Sequence, residues 1–212
     1  MGDRQARLRR IQAKRARAFR KKVVTIALFI VLVVVIAAAY IWATQQQPPV
    51  ARAGKVLFVT SMGNITIELF DEQPITTANF KNLTNLGIYD DTIFHRVMSG
   101  FMIQGGDPTG TGYGHPDIAM IPDEFNGDQR NLRGTVAMAN QGQPNTGSSQ
   151  FFINLVYNDH LDYDKEPLDY AHPVFGRVVE GMDVVDAISN VEVDDNNKPL
   201  VDVWLIKAIV IP

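Results

Sequence analysis

The chain has 212 residues, 46% hydrophobic and 20% charged, which is enough apolar material to bury a core and excludes disorder throughout. It has no cysteine, so disulfide frameworks and thiolate metal sites are excluded, and either redox compartment is permitted. The formal net charge of −3 hides an asymmetry: residues 1–22 carry ten Lys/Arg against Asp3 alone, and the remainder carries ten against 22 acidic residues, giving +9 and −12. Taken alone, the basic segment 1–22 could be a nucleic-acid arm, with Arg4, Arg7, Arg9, Arg10, Lys14, Arg15 and Arg17 countering phosphates. The residues after it favour another partner. From Val23 to Trp42 runs an uncharged stretch, VVTIALFIVLVVVIAAAYIW, of about 20 residues, which at a helical rise of about 1.5 Å matches a hydrocarbon core of roughly 30 Å.

Residues 23–42 are therefore expected to form a transmembrane helix acting as a signal anchor. Tyr40 and Trp42 would lie at the far interface and the basic cluster at the near end. The positive-inside rule puts segment 1–22 in the cytoplasm and everything after residue 42 on the extracytoplasmic side of the cell membrane, in a single pass. The alternative is a cleavable signal peptide using Ala37, Ala38 and Ala39, but the apolar run is longer than an ordinary signal core and the basic region is long. In either case the domain crosses the membrane. Residues 43–54 have no periodicity and contain a Gln run and a Pro pair, the composition of a short stiffened linker.

The domain of residues 55–212 opens with two β-rich runs, Lys55 to Thr60 and Asn64 to Phe70, joined by a Ser61-Met62-Gly63 hairpin signal. Pro74 introduces a helix over about Thr76 to Leu86, which Gly87 can end. Strand material follows from Phe94 to Gln104, then a Gly/Pro/Thr-rich loop from Gly105 to Ile121. Gly134 to Met138, Gln150 to Ile153, Val174 to Val179 and Trp204 to Ile211 complete the strands, and Met182 to Ser189 forms a second helix. Many strands with two helices point to a capped β-barrel.

Two stretches concentrate the chemistry. Phe94 to Asp107, FHRVMSGFMIQGGD, supplies His95, Arg96, Phe101, Met102 and Gln104, and strand alternation puts Met102 and Gln104 on one face with Phe101 and Ile103 on the other. Ala137 to Ile153, AMANQGQPNTGSSQFFI, begins as a small-residue strand, becomes a polar loop and returns at Gln150 to Ile153. Together they could wall an apolar groove with a few polar groups. His95 alternates away from Arg96 and is expected to be a satisfied histidine in the core or behind the site.

Other chemistries lack their residues. His95, His115, His160 and His172 form no helix-borne ligand pair, and the glycine loops lack a phosphate-binding lysine. Asp162, Asp164 and Glu166 begin like a calcium loop, but Pro167 and Pro173 occupy its Gly and Glu positions, which leaves a solvated surface loop. Ser148 and Ser149 lie in no nucleophile elbow. No metal site is expected.

Both stretches resemble the cyclophilins, peptidyl-prolyl cis-trans isomerases whose hallmarks include FHR, GFMxQGGD, MAN, a Gly/Asn loop, SQFF and VFGxV. Here these are Phe94-His95-Arg96, Gly100 to Asp107, Met138 to Asn140, Ser149 to Phe152 and Val174 to Val178, and the resemblance runs from about Lys55 to Pro212. It implies a mainly β fold, a closed eight-stranded antiparallel β-barrel capped by two helices, here preceded by the transmembrane helix. It implies isomerisation of X-Pro bonds without a cofactor, in exported or membrane-proximal proteins, with Arg96 as the catalytic donor. Phe101, Met102, Phe152 and Leu161 match the apolar proline pocket, and His172 the histidine before the VFG strand. Gln104 and Gln150 match side chains that orient Arg96 and substrate, and Ala139 and Asn140 the edge that hydrogen-bonds the peptide backbone.

The implied partners are proline-containing polypeptides and, through residues 23–42, the membrane; nucleic acid is not among them, and a monomer is expected. Where many members have Trp this chain has His160, and the segment from there to His172 is longer than in the shortest members. Cyclosporin-like ligands are therefore expected to bind with reduced affinity. The alternative is a membrane-tethered, non-catalytic module that binds or scaffolds proline-containing segments.

Overall fold

The computed structural model describes residues 54–167 and 170–211, so the basic segment, the candidate span and all of the linker before Gly54 lie outside the described residues. No helix among the described residues is long and apolar enough to cross a membrane. The strands are β1 (Lys55–Thr60), β2 (Gly63–Leu69), β3 (Thr92–Ile93), β4 (Arg96–Met98), β5 (Met102–Gly105), β6 (Thr135–Met138), β7 (Phe151–Asn154), β8 (Val174–Glu180) and β9 (Trp204–Ile211). The helices are α1 (Pro74–Asn85) and α2 (Met182–Ser189), with a short 3-10 turn at Asp159–Leu161.

Alternation explains the strands. Val56 and Phe58 of β1 and Ile65, Ile67 and Leu69 of β2 point inward and are buried, in an antiparallel register that pairs Lys55 with Glu68. Inside the curl, Phe58, Phe80, Tyr89, Phe151 and Phe175 form one aromatic cluster, with Phe80 4.9 Å from Phe175 and 5.0 Å from Tyr89 between ring centroids. Each such side chain contributes roughly 1.5–3 kcal/mol by leaving water. Helix α1 begins with Pro74, which has no N–H to leave unpaired. Its N-cap makes no side-chain bond; instead the Glu124 carboxylate accepts from the Ile75 and Thr76 N–H groups at 3.1 and 2.6 Å, tying the 121–131 loop to the helix.

All nine strands belong to one sheet in the order β3-β9-β1-β2-β8-β6-β7-β5-β4. This corrects the expected eight-stranded closed barrel in two respects. The run from Phe94 to Gln104 is not one strand, because Phe101 N–H turns back onto the Met98 carbonyl at 3.0 Å and Gly100 takes a φ of 74°, splitting β4 from β5. The edge strands β3 and β4 share no ladder, so the sheet curls without closing by hydrogen bonds. Only the two residues Phe94 and His95 carry the chain from one edge to the other.

Candidate active site

The site grows from the outer face of β5, β6 and β7, the side of the sheet turned away from the aromatic core. Gln104 pairs with Phe152, and Phe152 with Ala137, so their side chains form one row across three strands. Met102, Ala137, Ala139, Phe152, Leu161 and Val174 form a separate apolar cluster here, with Phe70, Met98 and Phe101 packed against it. Leu161 comes from the 3-10 turn of the segment that crosses this face. Asp162 pins that segment: it accepts from Asn131 N–H at 2.8 Å and Tyr157 O–H at 2.9 Å while buried. The expected solvated acidic loop is thus corrected at Asp162, which the backbone N–H of Asn131 and the Tyr157 hydroxyl hold inside the protein.

Arg96 stands on β4 directly across from Gln104. Its guanidinium donates to Gln104 Oε1 at 3.3 Å, Gln104 Nε2 donates to Gln150 Oε1 at 2.9 Å, and Gln150 Nε2 donates to the Gly112 carbonyl at 2.9 Å. Arg96 forms no ion pair among the described residues, and its partial burial lowers its pKa. It is a charged donor with spare N–H groups.

The far end of this relay rests on Asp107, which is fully buried. Its carboxylate accepts from Thr109 N–H and Oγ1 at 2.9 and 2.8 Å, Gly112 N–H at 2.6 Å and Gly114 N–H at 3.2 Å. Burial alone would raise the Asp107 pKa, but these donors outweigh it and hold the carboxyl below its ordinary value. Gly106, at φ 83°, has no room for a side chain: a Cβ would sit 2.6 Å from the Ser149 carbonyl. The Gly-Gly-Asp turn therefore fixes where the loop of residues 107–114 leaves β5.

His172 lies edge-on to Phe152 at 5.2 Å, with Nδ1 2.9 Å from the Met138 carbonyl. Burial pushes its pKa down, so it stays neutral near pH 7. His160 stacks on Phe101 at 5.8 Å and 24°. Ala139 N–H is used by the Gln150 carbonyl at 3.0 Å, while the Asn140 side chain donates to Ala171 and accepts from Gly142. Among the described residues the backbone N–H and C=O of Asn140 have no partner, leaving one peptide unit of edge open beside the apolar row. A cavity of about 320 Å³ lies next to it, lined by Gln104, Gly112, Tyr113, Asn140, Gln141 and Gln150.

The ten residues that the resemblance assigns to the site come together at this outer face. Two expectations from alternation need correction. Phe101 packs in the same cluster as Met102 rather than with Ile103, because it sits in the turn before β5 and escapes the strand's period. His95 is buried as expected but not satisfied: neither ring nitrogen has a hydrogen-bond partner among the described residues, and burial lowers its pKa. Sequence reasoning passed over Ala137, whose alternation with Ala139 could have placed it on the pocket floor. It also passed over Asp107 and Gly112, whose link to Arg96 runs through loop geometry.

The family described as cyclophilin type peptidyl-prolyl cis-trans isomerase matches residues 55–210. A peptidyl-prolyl cis-trans isomerase of Arabidopsis thaliana is 39% identical over 161 residues, covering 74% of this chain and 93% of its own. A peptidyl-prolyl cis-trans isomerase-like protein of Neurospora crassa is 42% identical over 163 residues, covering 75% and 95%. Among solved structures, a cyclophilin type isomerase of Cryptosporidium parvum is similar with a TM-score of 0.68 and 32% identity, over 75% of this chain and 98% of that one. A second structure of the Cryptosporidium protein, determined in the presence of the dipeptide Ala-Pro, has a TM-score of 0.67.

Proposed function

Since the chain belongs to the cyclophilin-type peptidyl-prolyl cis-trans isomerase family and is an isomerase of X-Pro bonds, we propose that Arg96 supplies the donor that drives rotation and that the domain works tethered to the outer surface of a membrane. The planar X-Pro amide resists rotation with a barrier of about 18–20 kcal/mol, because the proline nitrogen shares its lone pair with the carbonyl. At the twisted top of the barrier that lone pair returns to nitrogen and becomes an acceptor. A donor placed there favours the transition state over both planar ground states, which is the condition for catalysis.

Each residue then has a defined task. Met102, Phe152, Leu161 and Phe101 hold the proline ring, with His172 against the edge of Phe152. The Asn140 peptide unit takes the substrate backbone as an added edge, steadied by the neighbouring Ala139, so one side of the amide is fixed while the other turns. Gln104 and Gln150 aim the guanidinium, and nothing in the rotation makes or breaks a covalent bond. The observation that carries this reading is the relay Arg96–Gln104–Gln150–Gly112, which holds a guanidinium with no ion pair among the described residues beside an apolar pocket. A protein that only bound proline segments would need the pocket and not the aimed donor.

The tether is supported by the uncharged stretch 23–42 with its basic flank, and the linker 43–54 keeps the domain close to the bilayer. Substrates would be exported or membrane-proximal chains, which emerge unfolded with mixed X-Pro isomers. The domain would act as a monomer, and cyclosporin-like ligands would bind with reduced affinity because His160 takes the place of Trp. The test is Arg96→Lys, which keeps the charge and loses the planar fork: exchange of an Ala-Pro-containing peptide should fall by about 10²–10³ with affinity little changed. Unchanged exchange in that variant would remove Arg96 from the mechanism.

A further inference from the structure

The outside of the sheet carries a second apolar face, four strand positions away from the groove. Leu57 and Val59 of β1 alternate outward from the buried Val56 and Phe58, and they pair with Ile209 and Lys207 of β9. A register irregularity after Val59 leaves Ile206 without a cross-strand partner, so Ile206 and Lys207 both turn out. Trp204 is 42% exposed, Ile206 46% and Ile209 37%. Beyond the start of β9 the apolar surface continues through Leu200, Val201 and the hairpin residue Met62 around a hollow of about 540 Å³. Scattered exposed apolar side chains need no explanation, but several along one strand, with a tryptophan at its start, mark a surface for another phase or molecule.

We propose that this β1–β9 face rests on the lipid bilayer, with Trp204, Ile206 and Ile209 in the headgroup–acyl boundary. The proposal rests on the reading of residues 23–42 as a membrane anchor. The chain coming from that stretch joins the domain at Lys55, the first residue of β1, which pairs with Ile211 at one end of this same face. The twelve residues 43–54 reach at most about 40 Å when extended, so the domain cannot leave the bilayer surface far behind. At such an effective concentration even a weak surface affinity holds the face down. Its chemistry suits the interface: an amphipathic indole and aliphatic side chains to enter it, and Lys55 and Lys207 whose stems can lie along it while their ammonium groups meet lipid phosphates. In the strand order β1 and β7 stand four positions apart in a sheet curled on itself. Docking by β1 and β9 therefore turns the groove of β5–β7 away from the bilayer, open to chains arriving from above.

The chain has two tryptophans, Trp42 and Trp204, which makes the test selective. The full chain is reconstituted in phosphatidylcholine vesicles with and without brominated acyl chains, as Trp42→Phe, in which Trp204 alone emits, and as Trp204→Phe, in which Trp42 alone emits. Bromolipid should reduce Trp204 emission, membrane association should shift it to the blue, and Ile206→Asp with Ile209→Asp should abolish both effects. Quenching of Trp42 without quenching of Trp204 overturns the docking and leaves the anchor standing. Absence of quenching at both positions overturns the anchor and the docking together. Trp204 shielded from acrylamide but untouched by bromolipid also overturns it, and points to a second copy of the chain on this face. Quenching that survives the aspartate substitutions overturns it as well, because the tether alone then explains the proximity.

Discussion

At the scale of single residues, the site is a set of ordinary side chains made unusual by their neighbours. Arg96 is one guanidinium among many, but here it is partly buried, donates to Gln104 and forms no ion pair among the described residues. His160 lies beside the apolar cluster and outside the relay. Its imidazole stacks on Phe101 where an indole would offer a larger ring and an N–H donor. If His160 is what weakens cyclosporin binding, His160→Trp is expected to tighten it in a calorimetric titration and to leave peptide exchange within a few-fold. The buried histidines carry a pH dependence of stability. Burial pushes His95 and His172 below their ordinary value of 6.5, so near that pH the unfolded chain takes up protons that the folded chain refuses. Stability therefore falls as pH drops through the region below about 6.5 and levels off only beneath the folded pKa values. Denaturant midpoints measured between about pH 7.5 and about pH 5.5 should decline, and His172→Gln should make the decline shallower.

At the scale of elements, the relay of the candidate site depends on a loop that has no regular structure. Asp107 gathers the N–H groups of residues 109, 112 and 114 into one buried carboxylate, and the carbonyl of Gly112 then anchors Gln150. Asp107→Ala leaves several partly buried donors without their shared acceptor. We expect it to cost about 3 kcal/mol in chemical denaturation and to slow catalysis more than it weakens peptide binding, because it loosens the aim of Arg96. Elements were also where the sequence was most and least legible. Trp204 to Ile211 and Met182 to Ser189 were readable to the residue, because a largely apolar run and a helical apolar face each have clear bounds. Phe94 to Gln104 was not. A turn at Met98–Phe101 and a crossing at Phe94–His95 interrupt a pattern that looks continuous in one dimension, and Phe101 lands on the face that alternation denied it. Gln104 and Gln150 were expected from the resemblance to orient Arg96, but the far end of the relay was hidden for a similar reason: Gly112 sits in an irregular loop, and only the Asp107 turn brings its carbonyl to Gln150. Phe101, Met102, Phe152 and Leu161 of the apolar cluster were singled out through the spelling of whole motifs. Periodicity alone would have left Phe152 and Leu161 as ordinary core.

At the scale of the whole molecule, one curled sheet does two jobs with its two surfaces. The inner surface is a closed aromatic core; the outer surface carries a groove at β5–β7 and an apolar face at β1–β9. If residues 23–42 anchor the chain with segment 1–22 in the cytoplasm, the domain should be digested when protease is added to cells stripped of their outer layers and protected in inverted membrane vesicles. Protection in both preparations, or digestion only in the inverted ones, would contradict the topology. The activity itself is tested most directly by exchange spectroscopy on an X-Pro peptide, where cis and trans proline resonances are followed at equilibrium with the wild-type chain and with Arg96→Ala. We predict rapid cis-trans exchange in the presence of the wild-type chain, and loss of most of it in the variant at closely similar peptide affinity. Equal exchange in the two, or peptide binding by the wild type with no acceleration, would contradict the role assigned to Arg96.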